Sequence, residues 1–263
     1  MNVKQKPVAL LTVVADNGMI GNVDDSPLPF DFDTGMAWML HIESGSVSDS
    51  VSESGSTMDH GDGNTNSNEN SNNGLKHSLV YGRRVYEEFA GYGMLPSGGG
   101  INCVVSASLA NQDGSPRPLP TVLGDESTIN DRLVAVGSVE QAIELGSQLE
   151  KSNPQDGDLC LVLGGQRVYT DSLPKATFLR KFHMRTSFEG GIMFPSHSED
   201  EWTPIYKSKP KTEKNKVDGK DVELQVVEYV RVNEKDDKEL APVMEAIKKV
   251  NRVFGPMEEL TDF

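Results

Sequence analysis

Two segments of the sequence place glycine between a buried strand and the start of a helix. Gly164 and Gly165 follow the apolar residues 159–163, and Gly82 follows residues 77–81. Glycine lets a backbone approach a ligand closely, and the first turn of a helix offers free N–H groups and the positive end of the helix dipole. Each segment is therefore a candidate phosphate-binding turn, although tight packing alone explains such a turn equally well.

Arginine adds positive charge to the second of these turns. Arg83 and Arg84 directly follow Gly82 and can bind phosphate through charge-assisted hydrogen bonds. A lone Gly-Arg-Arg segment is more often a solvated surface feature. Two such units on neighbouring strands, however, form a coherent binding site for a dinucleotide.

A third candidate follows the first apolar segment. Ile20 and Gly21 precede a loop with several Asp and Pro residues that extends to Phe30, and such a loop can close over a site. Asp33 comes next, at the start of a predicted short helix over residues 34–42. A partly buried carboxylate there would have a raised pKa and could assist proton transfer; the alternative is a simple helix N-cap.

The elements that position these residues alternate between strands and helices. The apolar runs predict strands over residues 7–15, 77–81, 101–106, 133–136, 159–163, 177–186 and 202–206, and a hairpin around Asp218-Gly219. Helical spacing predicts helices over residues 34–42, 82–89, 139–150 and 166–172. This alternation predicts an α/β fold with a mostly parallel central sheet, helices on both faces and a C-terminal antiparallel hairpin.

The regular elements belong to one predicted domain over residues 7–232, which two polar insertions interrupt. Residues 44–75 are nearly all Ser, Asn, Gly, Asp and Glu and cannot bury enough apolar surface to offset their ordering entropy, so we expect a disordered insertion. Residues 111–132 are predicted to be a loop insertion. Residues 233–263 are predicted to form a charged tail, whose apolar residues have helical spacing.

Composition argues against several classes of partner. The formal net charge of −15 disfavours nucleic acid and anionic membranes, because both are bound by clustered Lys and Arg. Cys103 and Cys160 lie in apolar runs and are predicted to be reduced core thiols, which favours the cytoplasm. The histidines show no metal-ligand spacing, so no metal site is predicted. We expect a monomer that binds small molecules.

The order of these pieces along the chain resembles the dihydrofolate reductase family. The resemblance covers residues 8–232, apart from the two polar insertions. It rests on the ordered set Ile20-Gly21, Leu28-Pro29 before an aromatic residue, Trp38, Gly82-Arg83-Arg84, Leu95-Pro96, Ser106, residues 139–143, residues 164–169, residues 173–176, Phe194-Pro195 and Trp202 before a hairpin. The fold that this resemblance implies is the dihydrofolate reductase fold.

The resemblance implies an oxidoreductase that uses NADPH. The cofactor-binding residues that it implies are Val13, Ile20, Gly21, Gly82, Arg83, Arg84, Val85, Ser106, Ala107, Gly164, Gly165, Gln166, Arg167, Val168 and Tyr169. Arg83 and Arg84 would lie near the phosphates, and Ile20 and Gly21 near the nicotinamide. The substrate-binding residues that it implies are Leu11, Asp33, Phe89 and Leu163.

The activity that the resemblance implies is the reduction of 7,8-dihydrofolate to tetrahydrofolate, a step of one-carbon metabolism. In the family, a hydride passes from nicotinamide to the pterin ring, and a carboxylate near the first helix anchors the pterin and helps its ring nitrogen to gain a proton. Counting forward from Ile20-Gly21 assigns this catalytic role to Asp33. Counting back from Trp38 reaches Gly35 instead. Two alignments with the family therefore stay open, one with Asp33 and one with Gly35 at the position of the carboxylate.

The sequence departs from the family pattern mainly in the folate-binding half. Phe30 stands where the family usually has Trp, and Phe182 stands where it has a Thr that supports the carboxylate. Residues 97–100 lack the Arg that binds the glutamate tail of folate, and residues 190–193 differ from the family's Gly-Asp-Thr. Two alternatives therefore stay open: reduction of another pterin or a pyrimidine, as in riboflavin synthesis, and NADPH binding without catalysis.

Overall fold

The fold is built around one strand that is buried from both sides. The computed structural model describes residues 6–23, 28–32, 77–97, 99–148, 159–231 and 258–259. In strand β1 (Val8–Ala15), every residue except Val13 is buried. This agrees with the uninterrupted apolar run, which is typical of a central strand in a parallel sheet.

The other elements follow the predicted alternation of strands and helices. The strands are β2 (Met19–Gly21), β3 (Ser78–Gly82), β4 (Asn102–Val105), β5 (Arg117–Pro120), β6 (Ile129–Val136), β7 (Cys160–Gly164), β8 (Phe178–Met184), β9 (Ile192–Met193), β10 (Trp202–Lys207), β11 (Lys211–Lys214), β12 (Asp221–Arg231) and β13 (Glu258–Glu259). The helices are α1 (Arg83–Gly91), α2 (Val139–Gln148) and α3 (Gln166–Ser172), and short 3-10 turns cover Glu126–Thr128, Leu173–Lys175 and Glu199–Glu201. None of the helices in the described part of the chain is long and apolar enough to cross a membrane.

The main sheet is parallel at its centre and antiparallel on its C-terminal side. Its strand order is β13-β10-β12-β8-β1-β7-β3-β4-β6-β5, with β11 paired to β12, and β2 and β9 form a separate small sheet. Helix α1 covers one face through Tyr86 and Phe89, which belong to a cluster that we call the α1-side core. Helices α2 and α3 cover the opposite face through Ile143 and Val168. The predicted α/β class, the helices on both faces and the C-terminal hairpin are confirmed.

The prediction that residues 111–132 form a loop is wrong in part. Strand β5 lies within this segment and pairs antiparallel with β6 at the edge of the sheet, and β6 itself begins at Ile129. Pro118 and Pro120 hid this strand from sequence reasoning, because proline cannot donate a ladder hydrogen bond and is tolerated only at an edge. Leu119 is buried and anchors β5 in the α1-side core.

Several sequence predictions fall wholly or largely outside the described residues. These are the helix over residues 34–42 and the disordered insertion over residues 44–75. In the tail over residues 233–263, the structure describes β13, which pairs antiparallel with β10. The tail is therefore extended, and not helical, at these two residues.

A fully buried ion pair joins β8 to β12. The Arg180 guanidinium contacts the Glu228 carboxylate, and the two side chains are only 2% and 1% exposed. The Tyr206 side chain is buried nearby; burial raises the pKa of its hydroxyl, and the Glu228 carboxylate raises this pKa further. Because the pair is shielded from water, the charge of each side chain is stabilised by the opposite charge of the other.

Replacing Glu228 with Gln should lower the free energy of unfolding by about 3–5 kcal/mol, because the charge of Arg180 stays buried while the carboxylate that contacts it is removed. Urea unfolding followed by circular dichroism measures this change. Glu223→Gln on the same strand is the matched control, since its carboxylate is 48% exposed and lies 3.9 Å from Arg185 Nε. The control should cost less than about 1 kcal/mol. A Glu228→Gln variant as stable as the parent protein would contradict this interpretation.

Candidate functional site

A cleft opens at the carboxyl edge of the sheet where β1 and β7 separate. The two strands pair as far as Leu10 and Val162 and no further. Beyond this point β1 continues beside β8 to Ala15, and β7 continues beside β3 to Gly164. Ligands of open α/β sheets bind in such crevices outside the carboxyl ends of the strands.

A tyrosine from α3 closes the base of this cleft. The Tyr169 hydroxyl donates a hydrogen bond of 2.6 Å to the carbonyl oxygen of Leu11, the residue at which β1 and β7 separate. Burial raises the pKa of Tyr169 above its ordinary value, so the hydroxyl keeps its proton and remains a donor. Gly164 has φ +122°, and a Cβ atom there would lie 3.1 Å from the Tyr169 hydroxyl oxygen. The tyrosine ring thus occupies the space that a larger residue at position 164 would need.

Two glycine turns meet beside the cleft. Helix α1 begins directly after Gly82 and α3 directly after Gly165, so both helix starts lie at the same edge of the sheet. A Cβ atom built on Gly82 would lie 3.8 Å from both the Gly164 oxygen and the Gly165 nitrogen. A Cβ atom built on Gly165 would meet no atom within 4 Å. The two turns therefore pack against each other, and position 165 faces open space that any side chain there would enter.

The Ser106-Ala107 segment lies next to these turns. β4 neighbours β3, and the Ser106 amide after β4 donates to the Val136 oxygen at 2.9 Å. The Ser106 and Ser108 hydroxyl oxygens are 3.1 Å apart, and Arg83 donates to the Ser108 oxygen at 3.5 Å. The carboxyl ends of β7, β3 and β4 thus bring together three segments that were predicted from separate parts of the sequence.

The two arginines at the start of α1 make different contacts. Arg83 Nε is 2.6 Å from Glu87 Oε1, one helical turn further along. Arg84 donates to the carbonyl oxygens of Asn22 at 3.2 Å and Val23 at 3.4 Å. Arg84 therefore ties the chain after β2 to α1, whereas Arg83 lies beside the Ser106 segment.

The other predicted cofactor-binding residues near the starts of α1 and α3 differ in their contacts and burial. Gln166 at the start of α3 donates to the Met193 oxygen at 3.2 Å, which joins α3 to the small β2–β9 sheet. The Arg167 side chain is exposed, and Val168 is buried on the α2–α3 side of the main sheet. Val85 is half-buried against the α1-side core.

Ile20 and Gly21 are held in the small sheet by a glycine that sequence reasoning missed. Gly191 precedes β9 with φ +94°, and a Cβ atom there would lie only 2.6 Å from the Gly21 oxygen. Any larger residue at position 191 would push β2 away. The adjacent glycines at 190–191 were the sequence signal that could have identified this contact.

The apolar residues predicted to contact substrate share the α1-side core. Leu11 and Phe89 are buried in it, and Leu163 is half-buried against it. Phe32 is buried in the same core and immediately precedes Asp33, which lies outside the described residues.

Phe182 places an aromatic ring beside the cleft. It pairs with Val13 across the β1–β8 register, and its side chain is 1% exposed in the α1-side core. Val13 is half-buried against the same core. The wall of the cleft at this point is therefore apolar.

A side chain from the β11–β12 hairpin fixes the path of residues 29–31. Asn215 donates to the Pro29 oxygen at 3.0 Å, and the Asp31 amide donates to Asn215 Oδ1 at 3.0 Å. The Phe30 ring packs against Phe188 with 5.7 Å between ring centroids. Sequence reasoning missed Asn215, because a contact between such distant parts of the chain leaves no local signal.

Comparisons with known proteins agree with this architecture. The family model described as dihydrofolate reductase matches residues 71–231. The chain therefore belongs to the dihydrofolate reductase family. A solved structure similar to this one is the dihydrofolate reductase from Enterococcus faecalis complexed with NADP(H) and RAB-propyl. The match has a TM-score of 0.53 and 17% sequence identity and covers 87% of this chain and 98% of that one, so the shared fold is confirmed.

Replacing Gly164 with Ala should lower the free energy of unfolding by about 1–3 kcal/mol, because the methyl group meets the Tyr169 ring and φ +122° is strained for any L side chain. Chemical denaturation measures the loss. Gly91→Ala is the matched control, since its Cβ atom would meet nothing within 4 Å. The control should match the parent protein or be slightly more stable. The proposed constraint on Gly164 is wrong if both variants unfold at the same denaturant concentration.

Proposed function

We propose that the protein reduces 7,8-dihydrofolate to tetrahydrofolate with NADPH. The observation that carries this proposal is the open space at Gly165, in a turn that packs against Gly82 next to the β1–β7 cleft. This edge of the sheet offers two helix starts for phosphate groups and an apolar crevice for a ring. Family membership, and the similarity to an enzyme complexed with NADP(H), support the same assignment.

The described residues fit a dinucleotide cofactor at this edge. Gly165 leaves room for a close approach of phosphate to the backbone, and Gly82 lets the neighbouring turn pack against it. Arg83 and Ser106 lie next to these turns. Ile20 and Gly21 would flank the nicotinamide ring. When bound, NADPH supplies the hydride for the reduction. We assign Arg84 a different task from the predicted one, which is to hold residues 22–23 against α1.

The chain's own residues prepare the site for the substrate. The Tyr169 hydroxyl donates a hydrogen bond to the Leu11 carbonyl oxygen and so holds β1 in position at the base of the cleft. Leu11, Phe89 and Leu163 provide an apolar surface that excludes water from a bound ring. Asp33 is proposed to anchor the pterin and to help its ring nitrogen to gain a proton, as the family resemblance implies.

A second candidate function is the reduction of another pterin or of a pyrimidine. Phe182 favours it, because a buried ring occupies the position at which the family resemblance implies a threonine hydroxyl. Residues 97–100 contain no arginine for a glutamate tail. Ser97 instead forms backbone hydrogen bonds of 3.1 and 2.8 Å with the Asn102 side chain. Both observations concern the substrate and leave the cofactor assignment unchanged.

An assay that follows NADPH absorbance with and without dihydrofolate tests the proposal directly. We expect saturable NADPH oxidation that depends on dihydrofolate. Tight NADPH binding without turnover would reject dihydrofolate as the substrate and favour the second candidate or a non-catalytic role. Failure to bind NADPH at all would reject the cofactor assignment.

Gly165→Ala tests whether NADPH enters the open space at position 165. The fold should tolerate this methyl group, because φ is −41° and no atom lies within 4 Å of the new Cβ. NADPH affinity should nevertheless fall by about tenfold or more, since the methyl group occupies the approach to the backbone. Isothermal titration calorimetry measures the affinity, with Gly91→Ala as the matched control. Unchanged affinity of the Gly165→Ala variant would exclude this location.

Asp33→Asn tests the proposed catalytic carboxylate. Turnover should fall by about 10²–10⁴-fold, because the pterin contact and the proton transfer both depend on the carboxylate, while NADPH binding stays unchanged, because Asp33 is not assigned to the cofactor. Asp31→Asn is the matched control: the Asp31 side chain is 52% exposed and lies 4.0 Å from Lys216 Nζ, so turnover should persist. An Asp33→Asn variant with the parent rate would exclude Asp33 as the catalytic carboxylate and favour the alignment that places Gly35 at that position.

A further inference from the structure

One asparagine side chain joins the β11–β12 hairpin to the segment that precedes Asp33. Asn215 directly follows β11, and only 1% of its surface is exposed. Its backbone closes the hairpin turn: its amide donates to the Lys220 oxygen, and its oxygen accepts from the Gly219 amide, both at 2.8 Å. The hairpin therefore fixes the position from which the Asn215 side chain reaches the neighbouring segment.

The side-chain amide of Asn215 binds residues 29–31 as a peptide group of a neighbouring strand would. Its Nδ2 atom donates to the Pro29 oxygen at 3.0 Å, and its Oδ1 atom accepts from the Asp31 amide at 3.0 Å. The backbone amide of Lys216 then donates to the Asp31 oxygen, also at 3.0 Å. Three hydrogen bonds thus hold this irregular segment against the end of the hairpin.

This attachment determines which side chains of the segment face the core. Side chains alternate in direction along an extended backbone. The Asp31 side chain is 52% exposed, whereas Phe30 and Phe32 on either side of it pack in the α1-side core, Phe32 as a buried member and Phe30 half-buried against it. Phe30 also packs against Phe188. The segment is therefore held with its backbone toward Asn215 and with two aromatic rings toward the core.

These two rings add to the apolar surface that is proposed for the substrate. Leu11 and Phe89, which were assigned to that surface, lie in the same core. Without the Asn215 side chain, the segment would lose two of the three hydrogen bonds that hold it, and its polar backbone groups would be left to find other partners. The two rings would then no longer be held in one position.

We propose that Asn215 is a positioning residue for the substrate, which holds Phe30 and Phe32 in the wall of the crevice through the backbone of residues 29–31. This inference rests on the proposed function, because that proposal assigns the substrate ring to the crevice. The glycine turns proposed for the cofactor belong to other elements, at the starts of α1 and α3. Loss of the Asn215 side chain should therefore weaken the binding of substrate and leave the binding of NADPH unchanged.

Asn215→Ala tests this selectivity. The KM for dihydrofolate should rise by about tenfold, because two hydrogen bonds that hold the wall are lost, whereas the NADPH dissociation constant should change by less than about twofold. Steady-state kinetics and isothermal titration calorimetry measure the two effects. Asn130→Ala is the matched control, because the Asn130 side chain accepts from the Arg132 amide at 2.9 Å at the start of β6, near the opposite edge of the sheet. The control should leave both constants within about twofold of the parent values.

Asn215→Asp tests whether the hydrogen bond donated by the side chain is required. A carboxyl group can accept from the Asp31 amide, but only its protonated form can donate to the Pro29 oxygen. Burial, together with the Asp218 carboxylate that hydrogen-bonds to Asn215, would raise the pKa of the new carboxyl group, and the two lysines of the turn would act in the opposite sense. The KM relative to the parent protein should therefore be raised at about pH 8 and should fall toward the parent value at about pH 5.

A measurement without ligand separates this inference from the proposed function. In the parent protein, nuclear Overhauser effects should connect the rings of Phe30 and Phe188, whose centroids are 5.7 Å apart. These effects should be lost in Asn215→Ala and kept in Asn130→Ala. A parent protein that does not turn over dihydrofolate would reject the proposed function, and the ring contacts would then decide alone whether Asn215 positions the segment.

Three outcomes would each overturn the inference. They are an unchanged KM for dihydrofolate in Asn215→Ala when the parent protein is active, an equal loss of substrate and NADPH affinity in that variant, and unchanged contacts between the two rings. If Asn215→Ala does not fold, Asn215→Asp replaces it in the kinetic and NMR measurements. A KM ratio for Asn215→Asp that does not fall with decreasing pH would then contradict the proposed role.

Discussion

The hydrogen bond from the Tyr169 hydroxyl to the Leu11 carbonyl holds the candidate site in shape. β1 and β7 stop pairing at Leu10 and Val162, so the next carbonyl of β1 would otherwise be buried without a donor from β7. The tyrosine supplies that donor from α3, and burial keeps its hydroxyl protonated. The strands can therefore separate without leaving an unsatisfied carbonyl at the base of the cleft.

This one contact constrains the residues around it. The tyrosine ring fills the space beside position 164, which requires glycine there, and Gly164 turns the chain so that α3 begins after Gly165. The start of α3 then lies next to Gly82 and the start of α1, while Gln166 joins α3 to the small β2–β9 sheet.

Local sequence patterns predicted most of the framework. The strand ending at Gly164 and the helix over residues 166–172 agree closely with the structure, because an apolar run and a glycine pair determine both locally. Contacts between distant parts of the chain were not predictable in this way. The hydrogen bonds of Asn215 to residues 29–31 form only once the fold brings these segments together, and the prolines of β5 concealed an edge strand. The role of Asp33 stays a prediction.

The measurement that tests the central claim most directly is an NMR experiment on methyl-labelled protein with bound NADPH. The account predicts nuclear Overhauser effects from the nicotinamide protons to the methyl groups of Ile20 and Val13, because Val13 lies on β1 after this strand leaves β7, and Ile20 lies on β2, which contacts β1. Contacts confined to other regions, with none to the methyl groups of Ile20 or Val13, would contradict it.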